Sequence, residues 1–369
     1  MGKLLITGCT GFLGGCVLSY ALKKYNIKDI LILARTAENY PALTRVQDNL
    51  ARFGLSPEIT SQLTGSNIIE GDLAQPELFL NNPYLNEVTH VINCAAVASF
   101  GKNPLIWKVN VEGTFAFAKR MSEIASLQRF VHVGTAMSCL PTPGHNIKES
   151  LIIADDSQHI VDYTRAKAAI ERKMREELPQ LPLVIARPSI IVGHSELGCQ
   201  PSSSIFWVFK MALTLGKFMC NLQDRIDVVP VDFCAEALLA LTENENVKNE
   251  IYHISAGPEY SVNFAEIDQA MAQAGGTEPI ADNYRMVDMG YFMGIRKSFP
   301  LLFGECNERI ILRAINLYGQ FSRLNVTFDN TQLLHLGVSA PRKFTSYIDK
   351  CVDSTRGQSV TEMMACDFK

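Results

Sequence analysis

Short apolar runs alternate with amphipathic segments along the first half of the chain. The runs fall at Lys3–Thr7, Ile30–Ala34, Asn67–Glu70, His90–Ala95, Phe130–Val133 and Leu183–Ala186. Between them, segments such as Phe12–Lys24 and Tyr163–Glu177 repeat apolar positions with the period of a helix. Strands that are apolar throughout and separated by helices are typical of a parallel sheet buried on both faces. The pattern therefore predicts a doubly wound α/β domain.

The pattern changes after Arg187-Pro188. A loop leads to the aromatic, helix-like run Ile205–Met219, strand-like segments return at Arg225–Val231 and Ile251–Ile254, and helical periodicity dominates from Pro258 onward. We expect the later strand-like segments to rejoin the first sheet. The predicted organisation is a nucleotide-binding unit at 1–190, with returns to its sheet near 225–256, and a substrate-binding or lid region at 191–224 and 257–369.

Composition narrows the class of protein. Of the 369 residues, 47% are hydrophobic and 20% are charged, which is the balance of an ordered globular chain. The net charge is −4 and no stretch concentrates lysine and arginine, so nucleic-acid binding is not expected. The most membrane-like run, Ile205–Met219, is interrupted by Lys210 and Lys217 and is shorter than the roughly 20 apolar residues of a spanning helix. We therefore expect no transmembrane segment.

The cysteines and histidines give no sign of a metal site. The chain has ten cysteines without a C-x-x-C pair, several of them inside apolar runs such as Val91–Ala96, and its seven histidines are scattered. Buried, reduced thiols are typical of the cytosol. The strand-like Lys3–Thr7 leaves no room for a signal peptide before it. We predict a cytoplasmic protein without a bound metal.

The first glycine-rich segment, Thr7–Gly14 (TGCTGFLG), lies between the first strand and the first helix. Glycine permits a tight turn there and lets the backbone approach a pyrophosphate at the helix N-terminus. The spacing is G-x-x-G-x-x-G, at Gly8, Gly11 and Gly14. An ordinary strand-to-helix turn is the alternative, although the position after a strand favours dinucleotide binding.

The end of the second strand bears on the choice of cofactor. An acidic residue there favours NAD, whereas an arginine accommodates the 2′-phosphate of NADP. The segment reads Leu31–Arg35 (LILAR) and ends in a guanidinium, which can bind a phosphate through two hydrogen bonds. Arg45 could assist or face water. NADPH is the cofactor we predict, while Asp72, after the third strand, could accept from adenine or cap the next helix.

A tyrosine and a lysine four residues apart form the candidate catalytic pair. On a helix, Tyr163 and Lys167 lie on one face, and a nearby cation is expected to lower the pKa of the phenol. Thr135 ends the strand Phe130–Gly134, where its hydroxyl could stabilise an oxyanion. Arg187–Ile190 (RPSI) follows the next strand, at the edge where doubly wound sheets bind ligands. Together these features predict proton donation to a carbonyl oxygen.

Three further polar residues near this pair are weighed in the same way. Asn110 could support a water relay to Lys167 or could cap a helix. His132 lies on an apolar strand, so we expect a core histidine. Cys139 could line the pocket, but nothing in the sequence activates it as a nucleophile.

The motifs together resemble those of the extended short-chain dehydrogenase/reductase superfamily. They are GCTGFLG at 8–14, Asp72-Leu73, HVINCAAVASF at 90–100, NVEGT at 110–114, FVHVGTA at 130–136, YTRAK at 163–167 and RPSIIVG at 187–193. Within that superfamily the chain is most similar to fatty acyl-CoA reductases and to thioester reductase domains. The resemblance implies a Rossmann-type doubly wound sheet with a smaller, mainly helical C-terminal substrate domain.

The resemblance also assigns roles to residues. It implies a catalytic triad of Thr135, Tyr163 and Lys167 assisted by Asn110. It implies that Gly8, Gly11 and Gly14 hold the cofactor pyrophosphate, that Arg35 and Arg45 bind the 2′-phosphate and that Asp72 binds adenine. Ala95 would line the adenosine or nicotinamide path, and Pro188 and Ser189 would flank nicotinamide. Further cofactor contacts are implied at Thr10, Phe12, Leu13, Leu73 and Lys167. One departure is Gly134, where many relatives have serine, and we expect it to widen the pocket.

The first functional hypothesis is reduction of an acyl thioester by NADPH to an aldehyde, and further to the alcohol. The substrate would arrive on coenzyme A or on a carrier protein, and Ile205–Met219 would wall an acyl tunnel, act as a lid or simply form a buried helix. The second hypothesis keeps the cofactor but reduces a small hydrophobic ketone or aldehyde, or oxidises an alcohol. The third is a sensor that binds NADP without turnover, against which the Tyr163–Lys167 pair argues.

Overall fold

The computed structural model describes residues 2–149 and 158–365. Its strands are β1 (Lys3–Thr7), β2 (Ile30–Ala34), β3 (Ile68–Glu70), β4 (Val88–Asn93), β5 (Arg129–Val133), β6 (Asn146–Ile147), β7 (Leu183–Pro188), β8 (Ile190–Ile191), β9 (Lys217–Phe218), β10 (Arg225–Ile226), β11 (Val228–Val229), β12 (Ile251–Ile254), β13 (Val262–Asn263), β14 (Arg285–Met286) and β15 (Thr327–Phe328). Its α-helices are α1 (Phe12–Lys24), α2 (Ala42–Arg52), α3 (Pro57–Thr60), α4 (Leu105–Trp107), α5 (Thr114–Ser122), α6 (Asp162–Glu177), α7 (Phe206–Leu215), α8 (Val231–Glu243), α9 (Gly257–Tyr260), α10 (Phe264–Gly275), α11 (Met289–Ile295), α12 (Phe299–Phe303), α13 (Glu308–Ser322), α14 (Thr331–His335), α15 (Ile348–Ser354) and α16 (Val360–Met364).

Seven parallel strands form the central sheet, in the order β12-β7-β5-β4-β1-β2-β3. On β1, Leu5 lies opposite Leu31 of β2 and Val91 of β4. The strand order reverses between β1 and β4, which opens a crevice at the carboxyl edge of the sheet. The predicted doubly wound α/β fold is confirmed.

Alternate residues of β1 enter different hydrophobic cores. Ile6 packs in a cluster with Val17 of α1 and Leu238 of α8, whereas Leu5 packs in a cluster with Ile170 of α6. Each such side chain stabilises the fold by about 1.5–3 kcal/mol when it is fully buried. Helices therefore cover both faces of the sheet, as its continuous apolar strands require.

A separate core forms among the later helices. It contains Trp207 of α7, Phe292 of α11, Ile315 of α13 and Tyr347, all of them nearly inaccessible to solvent. These side chains come from segments that are far apart in sequence. Within residues 2–149 and 158–365, no helix is long and apolar enough to cross a membrane.

The segment Arg225–Val231 does not rejoin the central sheet, contrary to expectation. Its two short strands pair elsewhere, β10 with β13 and β11 with β8, and only Ile251–Ile254 returns to the sheet. The reason is Asp227, whose buried carboxylate accepts hydrogen bonds from the backbone N–H groups of Ala256 (2.7 Å) and Phe328 (3.0 Å). The Asp227 carboxylate thus links its own segment to the segments around residues 256 and 328. If Arg225–Val231 were one continuous strand of the central sheet, this buried carboxylate would lose these hydrogen-bond partners.

Candidate active site

The glycine loop fits closely against β4. Gly8 has a φ of 75°, and a Cβ built on it would lie 2.8 Å from the backbone nitrogen of Ala95. A Cβ on Gly14 would lie 2.4 Å from the carbonyl oxygen of Gly8. Any side chain at either position would therefore distort the turn. The turn brings the N-terminus of α1 to the cavity at the carboxyl edge of the sheet, where its unpaired N–H groups suit an anion.

Asn49 holds this loop from the side. Its Nδ2 donates to the carbonyl oxygens of Cys9 (2.8 Å) and Gly11 (2.9 Å). A Cβ on Gly15 would lie 2.2 Å from that nitrogen, so Gly15 makes room for it. Neither Asn49 nor Gly15 was predicted from the sequence to belong to this site. The extra glycine after Gly14 was the available signal, because a mid-helix glycine usually marks a close approach.

Arg35, Arg45 and Asp72 meet at the ends of β2 and β3. Nη1 of Arg35 lies 3.1 Å from Oδ2 of Asp72, and Nη1 of Arg45 donates to the carbonyl oxygen of Arg35 at 2.6 Å. Asp72 also accepts from the backbone N–H of Ala74 at 2.8 Å through its other oxygen. Both arginines line the cavity, and the Arg35 side chain is 59% exposed. An exposed pair of this kind is weak, so a phosphate can compete for the guanidinium.

Thr135, Tyr163 and Lys167 line one wall of the same cavity. Lys167 is 2% exposed, and its Nζ donates to the carbonyl oxygen of Val133 at 2.6 Å. The same nitrogen lies 5.9 Å from the centre of the Tyr163 ring. The Thr135 hydroxyl accepts from the backbone N–H of Met137 at 3.3 Å, which leaves its own hydrogen to donate. The structure thus brings the three predicted residues together.

Burial changes the pKa values of the pair in opposite directions. Desolvation, helped by the nearby Glu171 carboxylate, raises the pKa of Tyr163 to about 12. Desolvation lowers the pKa of Lys167 to about 8, although Glu171 and Cys94 oppose the change. The expected lowering of the Tyr163 pKa is therefore wrong for this site. The phenol keeps its proton at neutral pH, as a proton donor must.

Asn110 does not cap a helix, because its side chain bonds to a non-helical backbone segment. It lies in a π-helical turn, Lys108–Gly113, and exchanges two hydrogen bonds with the backbone of Val97, at 2.7 Å to its Oδ1 and 3.0 Å from its Nδ2. Those bonds fix the segment after β4 that carries Ala95 and Phe100. A water relay from Asn110 to Lys167 stays a prediction.

The other two polar residues behave as expected. His132 is buried and its Nδ1 lies 3.2 Å from Nδ2 of Asn93, so it is a core histidine. The Cys139 thiol donates to the carbonyl oxygen of Ala136 at 3.0 Å, and burial raises its pKa to about 11. Cys139 is therefore a poor nucleophile.

Glu171 occupies the space beside Gly134. A Cβ on Gly134 would lie 2.2 Å from Oε1 of Glu171, and the other oxygen accepts from Arg187 Nη2 at 2.6 Å and Nε at 3.1 Å. The pocket is therefore not wider at Gly134, because a carboxylate fills the gap. The sequence analysis did not single out Glu171, although its place one helical turn after Lys167 was a usable signal.

The cavity has a volume of about 650 Å³. Beyond Tyr163 it continues into a part that is lined mainly by apolar side chains, among them Val208, Phe209, Ile267 and Phe321, and that we call the apolar chamber. Phe100 stands at the junction, with ring centres 5.7 Å from Tyr163 and 5.8 Å from Phe321. Helix α7 supplies much of the chamber wall. Within the run Ile205–Met219, Trp207 is buried in the second core while its neighbours line the chamber, and the role of the run as the wall of an acyl tunnel stays a prediction.

The family model described as Male sterility protein, an NAD-binding domain, matches residues 6–238, more than half of the 369 residues. The match begins in β1 and ends in α8, so it includes the glycine loop and the Tyr163–Lys167 pair. The chain belongs to this family. It is thus an extended short-chain dehydrogenase/reductase, as its motifs predicted.

Two relatives of known name illustrate the range of this family. Fatty acyl-CoA reductase wat of Drosophila melanogaster is 26% identical over 282 residues, which cover 64% of this chain and 53% of that protein. Non-reducing polyketide synthase pkiA of Emericella nidulans is 30% identical over 266 residues, which cover 68% of this chain and 10% of the synthase. The matches thus span about half of the first relative and a small part of the second.

A solved structure extends the likeness into the C-terminal helices. The terminal R domain from the myxalamid PKS-NRPS biosynthetic pathway matches with a TM-score of 0.75 at 21% identity. The match covers 96% of this chain and 90% of that domain. Both therefore share the whole fold, including the region that carries the apolar chamber.

Proposed function

We propose that the chain is an NADPH-dependent reductase of hydrophobic acyl thioesters, with an aldehyde as first product and the alcohol as the product of a second reduction. The observation that carries the proposal is one continuous cavity that joins the glycine loop, the Thr135–Tyr163–Lys167 wall and the apolar chamber. The names of the relatives, a fatty acyl-CoA reductase and assembly-line enzymes, support an acyl group presented on coenzyme A or on a carrier protein.

The residues at the sheet edge fit NADPH. Gly8 and Gly14 form a cradle that any side chain would fill, at the N-terminus of α1. Arg35 and Arg45 supply two guanidinium groups at the tip of β2, which favours a 2′-phosphate over a bare ribose. Bound in this position, NADPH supplies a hydride.

The chain's own residues would handle the oxygen and the proton. Thr135 donates a hydrogen bond to the substrate carbonyl oxygen, and Tyr163 transfers its proton to that oxygen as negative charge develops. Lys167 stabilises the phenolate that remains. When the resulting hemithioacetal collapses, the carbon–sulfur bond breaks and the thiol leaves with a proton.

The chamber would bind the acyl chain. Helices α7, α10 and α13 contribute mostly apolar side chains to its wall, among them Val208, Phe209, Ile267 and Phe321. Binding of an alkyl or aryl chain releases water from these surfaces. The cationic lining residues, Arg35, Arg45 and Lys167, all lie towards the cofactor end, and the chamber wall includes the carboxylate of Asp268 on α10, so the chamber would disfavour an anionic acyl chain.

The test is NADPH oxidation by the purified chain with a panel of acyl-CoAs, with free aldehydes and ketones run in parallel. Oxidation with matching release of free thiol, lost in Tyr163→Phe, would support thioester reduction. Turnover of ketones or aldehydes alone would refute it and favour a carbonyl reductase. A run with NADH in place of NADPH tests the cofactor, because the proposal requires a clear preference for NADPH.

A further inference from the structure

Glu171 is the most buried acid near the catalytic wall, and the proposed mechanism gives it no role. Its side chain is 0% exposed and lies on α6, one turn after Lys167 and two turns after Tyr163. One oxygen accepts both hydrogen bonds from Arg187, at 2.6 and 3.1 Å. The other faces Gly134 and lies 3.5 Å from the hydroxyl of Ser138.

These contacts reach the elements that carry the Thr135–Tyr163–Lys167 triad and the two residues expected to flank nicotinamide. Gly134 directly precedes Thr135, and Ser138 lies in the turn that Thr135 caps. Arg187 directly precedes Pro188, the last residue of β7, and Ser189 follows it. One carboxylate therefore connects the helix of the Tyr–Lys pair, the Thr135 turn and the end of β7.

We propose that Glu171 is a positioning residue that fixes Thr135, Tyr163 and Lys167 relative to one another through its contacts with Arg187, Ser138 and the Gly134 backbone. The proposal rests on the function proposed above, since it concerns the same wall of the cavity. Gly134 is required for this arrangement, because only a residue without a side chain leaves space for the Glu171 carboxylate. Catalysis is sensitive to such placement, and a shift of about 1 Å can cost 100-fold in rate.

The charged groups around Glu171 are few. Arg187 and Lys167 are the cations that act on its carboxyl group, and the Tyr163 phenol lies within range of its charge. Arg187 also interacts electrostatically with Glu149 and His253. Loss of the Glu171 charge should thus make both Lys167 and Tyr163 easier to deprotonate.

Two variants test the proposal in different ways. Glu171→Gln keeps the shape and removes the charge, and we expect kcat to fall roughly 100-fold with little change in NADPH affinity. Gly134→Ala keeps the ion pair but forces the carboxylate aside, so it should lower kcat in the same manner even if Glu171→Gln folds poorly. Glu177→Gln, an exposed change on the same helix, and Gly65→Ala, which meets open space, are the matched controls.

A cofactor-free and substrate-free readout separates this proposal from the proposed function. Titration of the Lys167 ammonium by NMR, assigned with Lys167→Arg, should move to lower pH in Glu171→Gln and stay unchanged in Glu177→Gln. That shift would support the positioning role even if acyl thioesters were not substrates. An unchanged titration would overturn it, as would wild-type turnover of the preferred substrate by both Glu171→Gln and Gly134→Ala.

Discussion

The two ends of the cavity are built in different ways. At the cofactor end, the backbone itself forms the site: glycines touch neighbouring backbone atoms, and the register of parallel strands sets the position of each loop. At the acyl end, side chains from α7, α10 and α13, which are far apart in sequence, form most of the wall, and no single segment defines it. The first kind of site tolerates few substitutions, whereas the second can change shape through single side chains. Cofactor use should therefore be fixed by the sheet edge and acyl preference by the chamber.

The largest effect on activity is expected for Tyr163, which lies between the cofactor end and the acyl end of the cavity. Tyr163→Phe removes the proton donor and leaves both binding regions intact, so kcat should fall about 1000-fold. NADPH binding, measured by fluorescence titration, should change little. A variant with near wild-type kcat would remove Tyr163 from the mechanism.

The next test separates backbone geometry from packing at the cofactor end. Gly8 and Gly54 both have positive φ, 75° and 74°, but a Cβ on Gly8 meets the backbone of Cys94 and Ala95 just after β4, whereas one on Gly54 meets nothing within 4 Å. Gly8→Ala should reduce stability by about 2–4 kcal/mol and weaken NADPH binding, while Gly54→Ala should cost about 1 kcal/mol and leave binding unchanged. Thermal unfolding and NADPH titration check both. Equal losses of stability and of NADPH affinity in the two variants would mean that the close approach of Gly8 to the neighbouring backbone is not important.

A bulky residue in the chamber should change acyl preference alone. Ala212 lines the chamber on α7, and Ala212→Trp would fill part of it. We expect kcat/KM for long acyl thioesters to fall roughly 10- to 100-fold, with short chains and NADPH binding little affected. Thr214→Trp, on the exposed side of the same helix, is the control. The comparison between the two ends fails if both variants behave alike.

A smaller effect is expected at the tip of β2. Arg35→Gln removes a charged partner of the 2′-phosphate, so the affinity for NADPH should fall about 10-fold while that for NADH is retained. Competition binding with the two cofactors measures the ratio. An unchanged preference for NADPH would assign the phosphate to other residues, Arg45 first among them.

The smallest effect concerns pH. Lys167, with its pKa lowered to about 8 by burial, is charged below that pH and loses its proton above it. The rate should therefore fall as pH rises through about 8, while Tyr163, with its pKa near 12, stays protonated. A pH–rate profile of kcat checks this, and Lys167→Arg should remove the decline at reduced overall activity. A rate that rises through this range would contradict the assigned role of Lys167.

What the sequence can predict follows the same division between the two ends. The glycine loop, Arg35 and the Tyr163–Lys167 spacing are local patterns, so the order of residues along the chain is enough to recognise them. Asn49 is far from the loop it holds, and the fit of Glu171 against Gly134 depends on a helix and a strand meeting in space. The apolar pattern of segment 225–231 predicts a strand of the central sheet. The pattern does not reveal that Asp227 accepts hydrogen bonds from the backbone of residues 256 and 328, which hold the segment elsewhere. Contacts of this kind depend on tertiary packing, which periodicity does not encode.

Thiol release measured together with NADPH oxidation, in a single turnover with a long-chain acyl-CoA, tests most directly whether one cavity holds both cofactor and thioester. If one cavity holds both the cofactor and the acyl thioester, free thiol should appear in a fixed ratio to oxidised NADPH, and the carbon chain should be recovered as aldehyde or alcohol. NADPH oxidation by carbonyl compounds with no thiol released from any acyl-CoA or carrier-bound thioester would contradict the account.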